Sequence, residues 1–193
     1  TITEAANEQV QQLSITYKGS RPLFLAAGEL VKGGKQDRTL QSSLVVPPGT
    51  KQAVLPSFCV EASRWAGGNV FQSAKNLASN QAQQALLFEG QAKVWESVRS
   101  YKMQLRMNAA KLSGNRPQAS KTSSLNEELE AGEVKTLLSA YEKAFSRTGK
   151  DVPFPLGLAY AVDGQFTAVH AFHSSSLFRK LKEKLVRSAA IDA

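Results

Sequence analysis

One short stretch, GELVKGGKQDR at residues 28–38, concentrates residue types that bind phosphate or transfer protons. It resembles a nucleotide-binding P-loop, a motif in which a first glycine is followed after four residues by Gly-Lys and a hydroxyl residue. The Gly-Lys pair here has Glu29 at the position of the first glycine, and Gln36 stands where the hydroxyl residue is required. The spacing therefore excludes a P-loop.

The same stretch keeps the chemistry of an anion-binding turn. Two adjacent glycines can adopt positive φ and expose backbone amides. The side-chain donors that follow them are Lys35, Gln36 and Arg38. The alternative interpretation is a polar connection between strands whose charges pair locally, and spacing alone leaves both open.

A second cluster, FCVEASRW at residues 58–65, combines a thiol, two opposite charges and an indole. Alternation along a strand places Cys59 and Glu61 on the same face. Cys59 would need a nearby base to act as a nucleophile, and both histidines lie far downstream, so a buried structural thiol is favoured. Glu61 and Arg64 could shape a pocket as an ion pair, and Trp65 could stack on a ligand or pack in the core.

The two histidines, His170 and His173, are not predicted to bind a metal. Their spacing would bring them together on a helix, but it sends them to opposite faces of a strand. No carboxylate adjoins them, and the order of residues indicates no Ser-His-Asp arrangement. We therefore predict no metal and no cofactor.

Composition bounds the class of protein. The chain has 193 residues, a formal net charge of +8 and a pI near 9.7. No apolar run approaches the roughly 20 residues of a transmembrane helix, so no membrane partner is predicted. The charge favours an anionic small molecule, whereas nucleic acid is disfavoured because no recognition-helix, zinc-finger or ribonucleoprotein motif is present. The single cysteine predicts a cytoplasmic location, with export as the alternative if a signal segment has been removed.

Hydrophobic patterns predict an α+β fold in a single domain, with an antiparallel β-meander, central helices and a C-terminal β-hairpin packed with a helix. Alternation in QLSITYK indicates a half-buried strand, and apolar residues at helical spacing dominate the middle third. Ser124 opens a capping box, and Asp163-Gly164 favours the type I′ turn of a hairpin. The predicted ranges are β-rich 11–61, helical 70–110, a flexible loop 111–123, a helix 124–147, a hairpin 156–172 and a C-terminal helix 175–190.

Together, the two clusters resemble the signature block of a prokaryotic domain family named for its association with ADP-ribosylglycohydrolases and rhodanese-phosphatases. The pattern is a strand leading to Gly-Glu, then Gly-Lys-Gln-Asp-Arg, a Pro-Pro-Gly-Thr turn and Cys-Val-Glu-x-x-Arg-Trp. QAKVWESV and the sequence from Gly157 onward extend the resemblance over nearly the whole chain. Relatives often have glycine where this chain has Ser63, and they usually carry further sequence before Thr1, which predicts that the chain is a fragment. The matching signature positions are Gly28, Glu29, Gly34, Lys35, Gln36, Asp37, Arg38, Pro47, Pro48, Cys59, Val60, Glu61, Arg64 and Trp65.

The resemblance implies a type of ligand more than a reaction, because the family's link to ADP-ribose chemistry comes from genomic association. The leading hypothesis is a non-catalytic binding or sensor module for a nucleotide-derived anion such as ADP-ribose. Cationic side chains suit a pyrophosphate, amide and carboxylate groups suit ribose hydroxyls, and an indole can stack. The candidate ligand-binding residues are Lys35, Gln36, Arg38, Glu61, Arg64 and Trp65.

Two other functions remain open. A hydrolase or transferase would use Glu61 or Glu29 as general base, with Arg38 and Arg64 as electrostatic clamps. A protein-interaction module would use the alanine- and glutamine-rich helices and the basic face of the C-terminal helix. That helix is predicted to turn Phe178, Leu181 and Leu185 inward and Arg179, Lys180, Lys182, Lys184 and Arg187 outward.

Overall fold

The structure is a computed structural model that describes residues 1–6, 9–114 and 122–193, and it has the α+β class expected from the sequence. The strands are β1 (Ile2–Glu4), β2 (Gln12–Ile15), β3 (Leu23–Leu25), β4 (Glu29–Gly33), β5 (Arg38–Leu40), β6 (Leu44–Val46), β7 (Ala53–Cys59), β8 (Val70–Leu77), β9 (Gly157–Val162) and β10 (Gln165–Ala171). The helices are α1 (Asn80–Phe88), α2 (Gln91–Ser113), α3 (Leu125–Glu130), α4 (Gly132–Phe145) and α5 (Ser175–Asp192).

Six of these strands close into an antiparallel barrel in the order β1-β2-β7-β5-β4-β8. Strand β1 closes it, because Ile2 pairs with Ile15 of β2 on one side and with Phe71 of β8 on the other. The alternation read from QLSITYK is confirmed, since Leu13 and Ile15 are buried in the hydrophobic cluster of the barrel. The predicted meander is thus closed on itself, and β3 and β6 pair separately as a two-stranded sheet.

The prediction of helix from residue 70 is wrong, because Val70–Leu77 form strand β8. The glutamine, alanine and lysine of this segment favour a helix locally. The place between β1 and β4 in the barrel must be filled by a strand, and this tertiary pairing overrides the local preference. Helix α1 starts only after Ser79, whose hydroxyl accepts a hydrogen bond from the amide of Ala82.

The later helices differ from the predicted ranges in two places. Gly90 separates α1 from α2 as predicted, with a φ of 78°, but α2 continues through residue 113 and ends at Gly114 in the left-handed conformation. The predicted loop 111–123 is therefore wrong for 111–113, and most of its remainder lies outside the described residues. The predicted helix 124–147 is two helices, because Ala131 is extended, with a ψ of 141°, between α3 and α4.

The C-terminal hairpin and helix are confirmed. Strands β9 and β10 pair around Asp163 and Gly164, whose φ values of 50° and 77° fit a type I′ turn. The predicted inward residues of α5, Phe178, Leu181 and Leu185, pack together with Leu77 of β8. Across the described ranges, no helix combines the length and apolar character needed to cross a membrane.

The main hydrophobic core lies between the barrel and the helices. Leu30 of β4 and Phe58 of β7 face it from the barrel, and Val94, Val98 and Leu105 face it from α2. The start of α3 is held against the barrel, because the amide of Leu125 donates to the carbonyl of Val60 at 3.2 Å. This contact brings the first turn of α3 to the place where β7 ends.

Candidate functional site

The two sequence clusters meet at one end of the barrel. Arg38, the first residue of β5, is paired with Cys59, the last residue of β7. The preceding turn passes through Gly33 and Gly34, both with positive φ, and a Cβ on Gly34 would lie 2.1 Å from the ring of Phe71. Glycine is therefore required there for the chain to bend back towards the second cluster.

Glu61 and Arg64 form the ion pair that was considered from the sequence, and it is partly buried. Arg64 Nε donates to both carboxylate oxygens of Glu61 at 3.0 Å, and Nη2 donates to Oε2 at 2.8 Å. These hydrogen bonds are the main reason why the pKa of Arg64 is raised. Arg64 Nη1 also donates to the carbonyl of Gly34 at 2.9 Å, so this guanidinium ties the first cluster to the second.

Asp37 connects the same network to α3. Its Oδ1 accepts a hydrogen bond from the amide of Gly33 at 3.0 Å. Its Oδ2 accepts hydrogen bonds from Ser124 Oγ at 2.6 Å and from Asn126 Nδ2 at 3.0 Å. The amide of Asp37 donates to Glu61 Oε2 at 3.1 Å, so one aspartate links three separate segments of the chain.

Arg38 lies inside the barrel with no exposed surface. Its Nη1 donates to Gln36 Oε1 at 3.1 Å and contacts the thiol of Cys59, and its Nη2 lies 3.6 Å from Glu4 Oε2. Within the described ranges, Nε of this side chain has no hydrogen-bond partner. Arg38 is thus placed to stabilise the barrel end rather than to reach a ligand in the solvent.

Cys59 is buried, as the sequence favoured. Its Sγ donates to Gln36 Oε1 at 2.9 Å. Burial raises the pKa of this thiol to about 11, although the charge of Arg38 acts in the opposite direction. The thiol is therefore neutral near pH 7 and is unsuited to act as a nucleophile.

Lys35 and Trp65 lie together at the outer edge of this barrel end. Lys35 Nζ lies 5.4 Å from the centroid of the Trp65 ring, and Arg38 Cζ lies 5.9 Å from it. The indole is half exposed. An aromatic face beside a cation is a surface on which a base or an anionic group can bind.

A groove of about 540 Å³ opens beside the ion pair of Glu61 and Arg64. Asn126 lines this groove, and its buried Oδ1 lacks a hydrogen-bond partner among the described residues. Four carboxylates and two cations contribute to the walls, so the groove is rich in hydrogen-bonding groups and has no net positive charge. The lining residues are Lys32, Gly33, Asp37, Glu61, Arg64, Val70, Gln72, Thr122, Ser124, Asn126, Glu127 and Glu130.

The structure thus divides the residues that the sequence singled out. Glu61 and Arg64 line the groove, whereas Gln36 and Arg38 are buried and do not line it. Glu29 belongs to a different part of the molecule, because both of its carboxylate oxygens accept hydrogen bonds from Lys184 Nζ of α5, at 2.7 and 2.8 Å.

The site residues predicted from the sequence do not include Asp37, Ser124 or Asn126. Asp37 was visible in the signature block and Ser124 in the capping box, and the hydroxyl of Ser124 does accept from the amide of Glu127 at 3.3 Å. Nothing in the sequence links position 37 to positions 124 and 126, because that contact depends on how α3 packs against the barrel.

The histidines are separated as the strand interpretation expected. His170, in β10, is partly buried and stacks on Tyr160 with ring centroids 6.3 Å apart, and His173 is exposed. Within residues 1–6, 9–114 and 122–193, no group of three or more His, Cys, Asp or Glu side chains is arranged to hold a metal ion.

A comparison against protein-family models confirms the family resemblance of the sequence. The model of the ARG and Rhodanese-Phosphatase-superfamily-associated Protein domain, ARPP-1, matches residues 1–193. The chain belongs to the ARPP-1 family. No curated protein and no solved structure is detectably similar to it.

Proposed function

We propose that this ARPP-1 domain is a binding module for a nucleotide-derived ligand such as ADP-ribose, and that the groove binds a ribose of that ligand. The observation that carries the proposal is a groove lined by residues of both signature clusters and by Asn126, whose buried Oδ1 has no hydrogen-bond partner among the described residues. A buried acceptor without a partner is costly, and a ligand hydroxyl that donates to it removes the cost. A ribose supplies such hydroxyls and can also accept from Arg64.

The anionic part of the ligand is better suited to the neighbouring edge than to the groove itself. The groove carries more carboxylates than cations, so a pyrophosphate placed deep in it would be repelled. Lys35 and the exposed face of Trp65 lie next to the segment that holds Arg64. We therefore assign the groove to ribose, and Lys35 with Trp65 to the phosphate or base.

Isothermal titration tests this function. We expect ADP-ribose to bind the intact protein and Asn126→Leu to weaken binding about tenfold, which corresponds to about 1.4 kcal/mol. Asn108→Leu, an amide outside the groove, is the matched control and should bind as the wild type does. Absence of binding at millimolar ADP-ribose, or equal affinities for the two variants, would contradict the proposal.

A hydrolase or transferase is the second candidate, and the contacts of Glu61 bear on it. The carboxylate accepts hydrogen bonds from Arg64 and from the amide of Asp37, so a substrate proton would compete with an existing ion pair. Glu29, the other candidate base, is bound to Lys184 away from the groove. If Glu61 were the base, Glu61→Gln would abolish turnover of ADP-ribose while sparing its affinity.

The protein-interaction alternative rests on a basic face that is largely engaged within the chain. Lys184 is paired with Glu29, and Arg187 Nε lies 3.0 Å from Glu142 of α4. Lys180 is exposed. A charge-reversed Lys180→Glu variant that lost a partner retained by the wild type would favour this alternative.

A further inference from the structure

A second cavity, separate from the groove, lies between α4, α5, the hairpin strand β9 and the connection that precedes it. Its volume is about 610 Å³, within the range of roughly 300–1,000 Å³ that is usual for small-molecule sites. Its residues do not overlap with those of the ribose groove. Any ligand bound there would therefore be additional to the one proposed above.

The walls of this cavity are mostly carbon. One stripe of α5 lines it with residues four and three apart, Lys182, Val186 and Ala189, as expected for one face of a helix. Tyr141 and Phe145 of α4 face this stripe. The small side chain of Ala189 leaves the cavity open beside α5, and the rings of Tyr141 and Phe145 form an apolar wall beside α4.

One end of the cavity is basic. Lys182 lines both the cavity and a smaller adjoining recess, which Lys150 and Arg179 also line. Lys182 Nζ donates to the carbonyl of Thr148 at 2.6 Å, and Arg179 Nη2 donates to the carbonyl of Pro153 at 3.0 Å. In the described part of the chain, none of these three cations forms an ion pair with a carboxylate.

The outer rim adds apolar surface near the basic end. Phe154 is 81% exposed and Leu156 is 51% exposed, and both line the cavity. Large exposed apolar patches on soluble proteins often mark a ligand-binding or interaction site. An apolar space with cations at one end is complementary to a molecule with a hydrocarbon chain and an anionic head.

We propose that this cavity binds a long-chain monocarboxylate, with its hydrocarbon chain along the α5 stripe and its carboxylate at Lys182, Arg179 and Lys150. A peptide added as a third strand beside β9 is the competing occupant, since β9 pairs with β10 alone among the described strands. Strand addition needs a row of backbone hydrogen-bonding groups. The cavity wall presents mainly carbon instead, which favours a hydrocarbon chain.

Displacement of a dansyl-labelled undecanoic acid from the intact protein tests this assignment. We expect saturable binding of the probe and displacement by laurate at a concentration about tenfold lower than by dodecanol, which has the chain without the charge. Ala189→Trp and, as a second variant, Val186→Phe fill the cavity and should weaken probe binding about tenfold or more. Leu87→Trp, an exposed position on α1, is the matched control, and thermal unfolding verifies that each variant is folded.

Any one of the following results would overturn the assignment. The first is no saturable binding of the probe up to its solubility limit. The second is unchanged affinity in a folded cavity-filling variant, or equal displacement by laurate and dodecanol. The third is displacement by an alternating Val-Thr octapeptide but not by laurate, which would assign the surface to strand addition. ADP-ribose should not displace the probe. A negative result for the cavity therefore does not affect the groove proposal, which the separate titration with ADP-ribose tests.

Discussion

At the scale of single residues, three charged groups of the signature block, Asp37, Arg38 and Glu61, are buried and paired at one end of the barrel. Arg38 is enclosed with Glu4, and Asp37 and Glu61 are each held by several donors. Buried charges are tolerated only when they are paired and hydrogen-bonded. These residues therefore specify the shape of the barrel end, and only the groove-facing members are available to a ligand.

The first prediction concerns Arg38. Arg38→Met should lower the free energy of unfolding by about 3–5 kcal/mol, because it leaves Glu4 as an uncompensated buried charge. Lys32→Met, which breaks an exposed pair with Glu130, is the control and should cost about 1 kcal/mol or less. Urea unfolding measures both, and equal losses would contradict the buried role of Arg38.

The second prediction concerns Cys59. Burial raises its pKa to about 11, so the native thiol should react with iodoacetamide far more slowly at pH 8 than the thiol of the urea-unfolded chain. Mass spectrometry of timed samples measures the labelling. Native labelling as fast as that of the unfolded chain would show that the thiol is accessible and ionised.

At the scale of elements, α3 completes the site although it has only six residues. Its N-cap, Ser124, accepts from the amide of Glu127 and also donates to Asp37. Ser174 caps α5 by accepting from the amide of Leu177 at 3.1 Å, with no comparable bond to a carboxylate among the described residues. Ser174 is therefore a simple helix cap, whereas Ser124 caps α3 and also connects it to Asp37 at the groove.

This difference gives the third prediction. Ser124→Ala should lower the free energy of unfolding by about 2–4 kcal/mol, the sum of a lost cap and a lost hydrogen bond to a charged group. Ser174→Ala should cost about 1 kcal/mol. Urea unfolding of both variants tests the comparison, and equal costs would mean that the contact between Ser124 and Asp37 contributes nothing.

The hairpin supplies a fourth prediction, in the pH dependence of stability. Burial lowers the pKa of His170 below its usual 6.5, while Asp192 acts weakly in the opposite direction. Because the unfolded chain then binds this proton more readily, His170 contributes stability that is present above pH 6.5 and lost as the pH falls through its folded pKa. His170→Gln should therefore lose less stability than the wild type when urea unfolding is repeated from pH 7.5 down to 5. A steeper loss of stability in the variant than in the wild type would contradict this prediction.

At the scale of the whole molecule, local signals predicted some elements well and the closure of the barrel not at all. The hairpin around Asp163 and the break at Gly90 follow from turn chemistry and glycine conformation, which are properties of a few adjacent residues. Strand β8 was predicted as helix because its pairing partners, β1 and β4, lie far away in sequence. The composition of a segment cannot indicate a pairing strand that lies far away in sequence.

The site shows the same division. The ion pair of Glu61 and Arg64 was readable because the two residues are three apart. The approach of Asn126 to Asp37 joins residues 89 positions apart, so no spacing rule could predict it. A direct role for Arg38 in ligand binding would require an exposed side chain. Arg38 is fully buried, and the sequence did not indicate this.

The most direct test of the central claim is an amide NMR titration of the intact protein with ADP-ribose. We expect saturable shifts at the groove, around Gly33, Asp37, Glu61 and Asn126, together with shifts at Lys35 and Trp65. Shifts confined to the apolar cavity of α4 and α5, or no shifts at millimolar ADP-ribose, would contradict it.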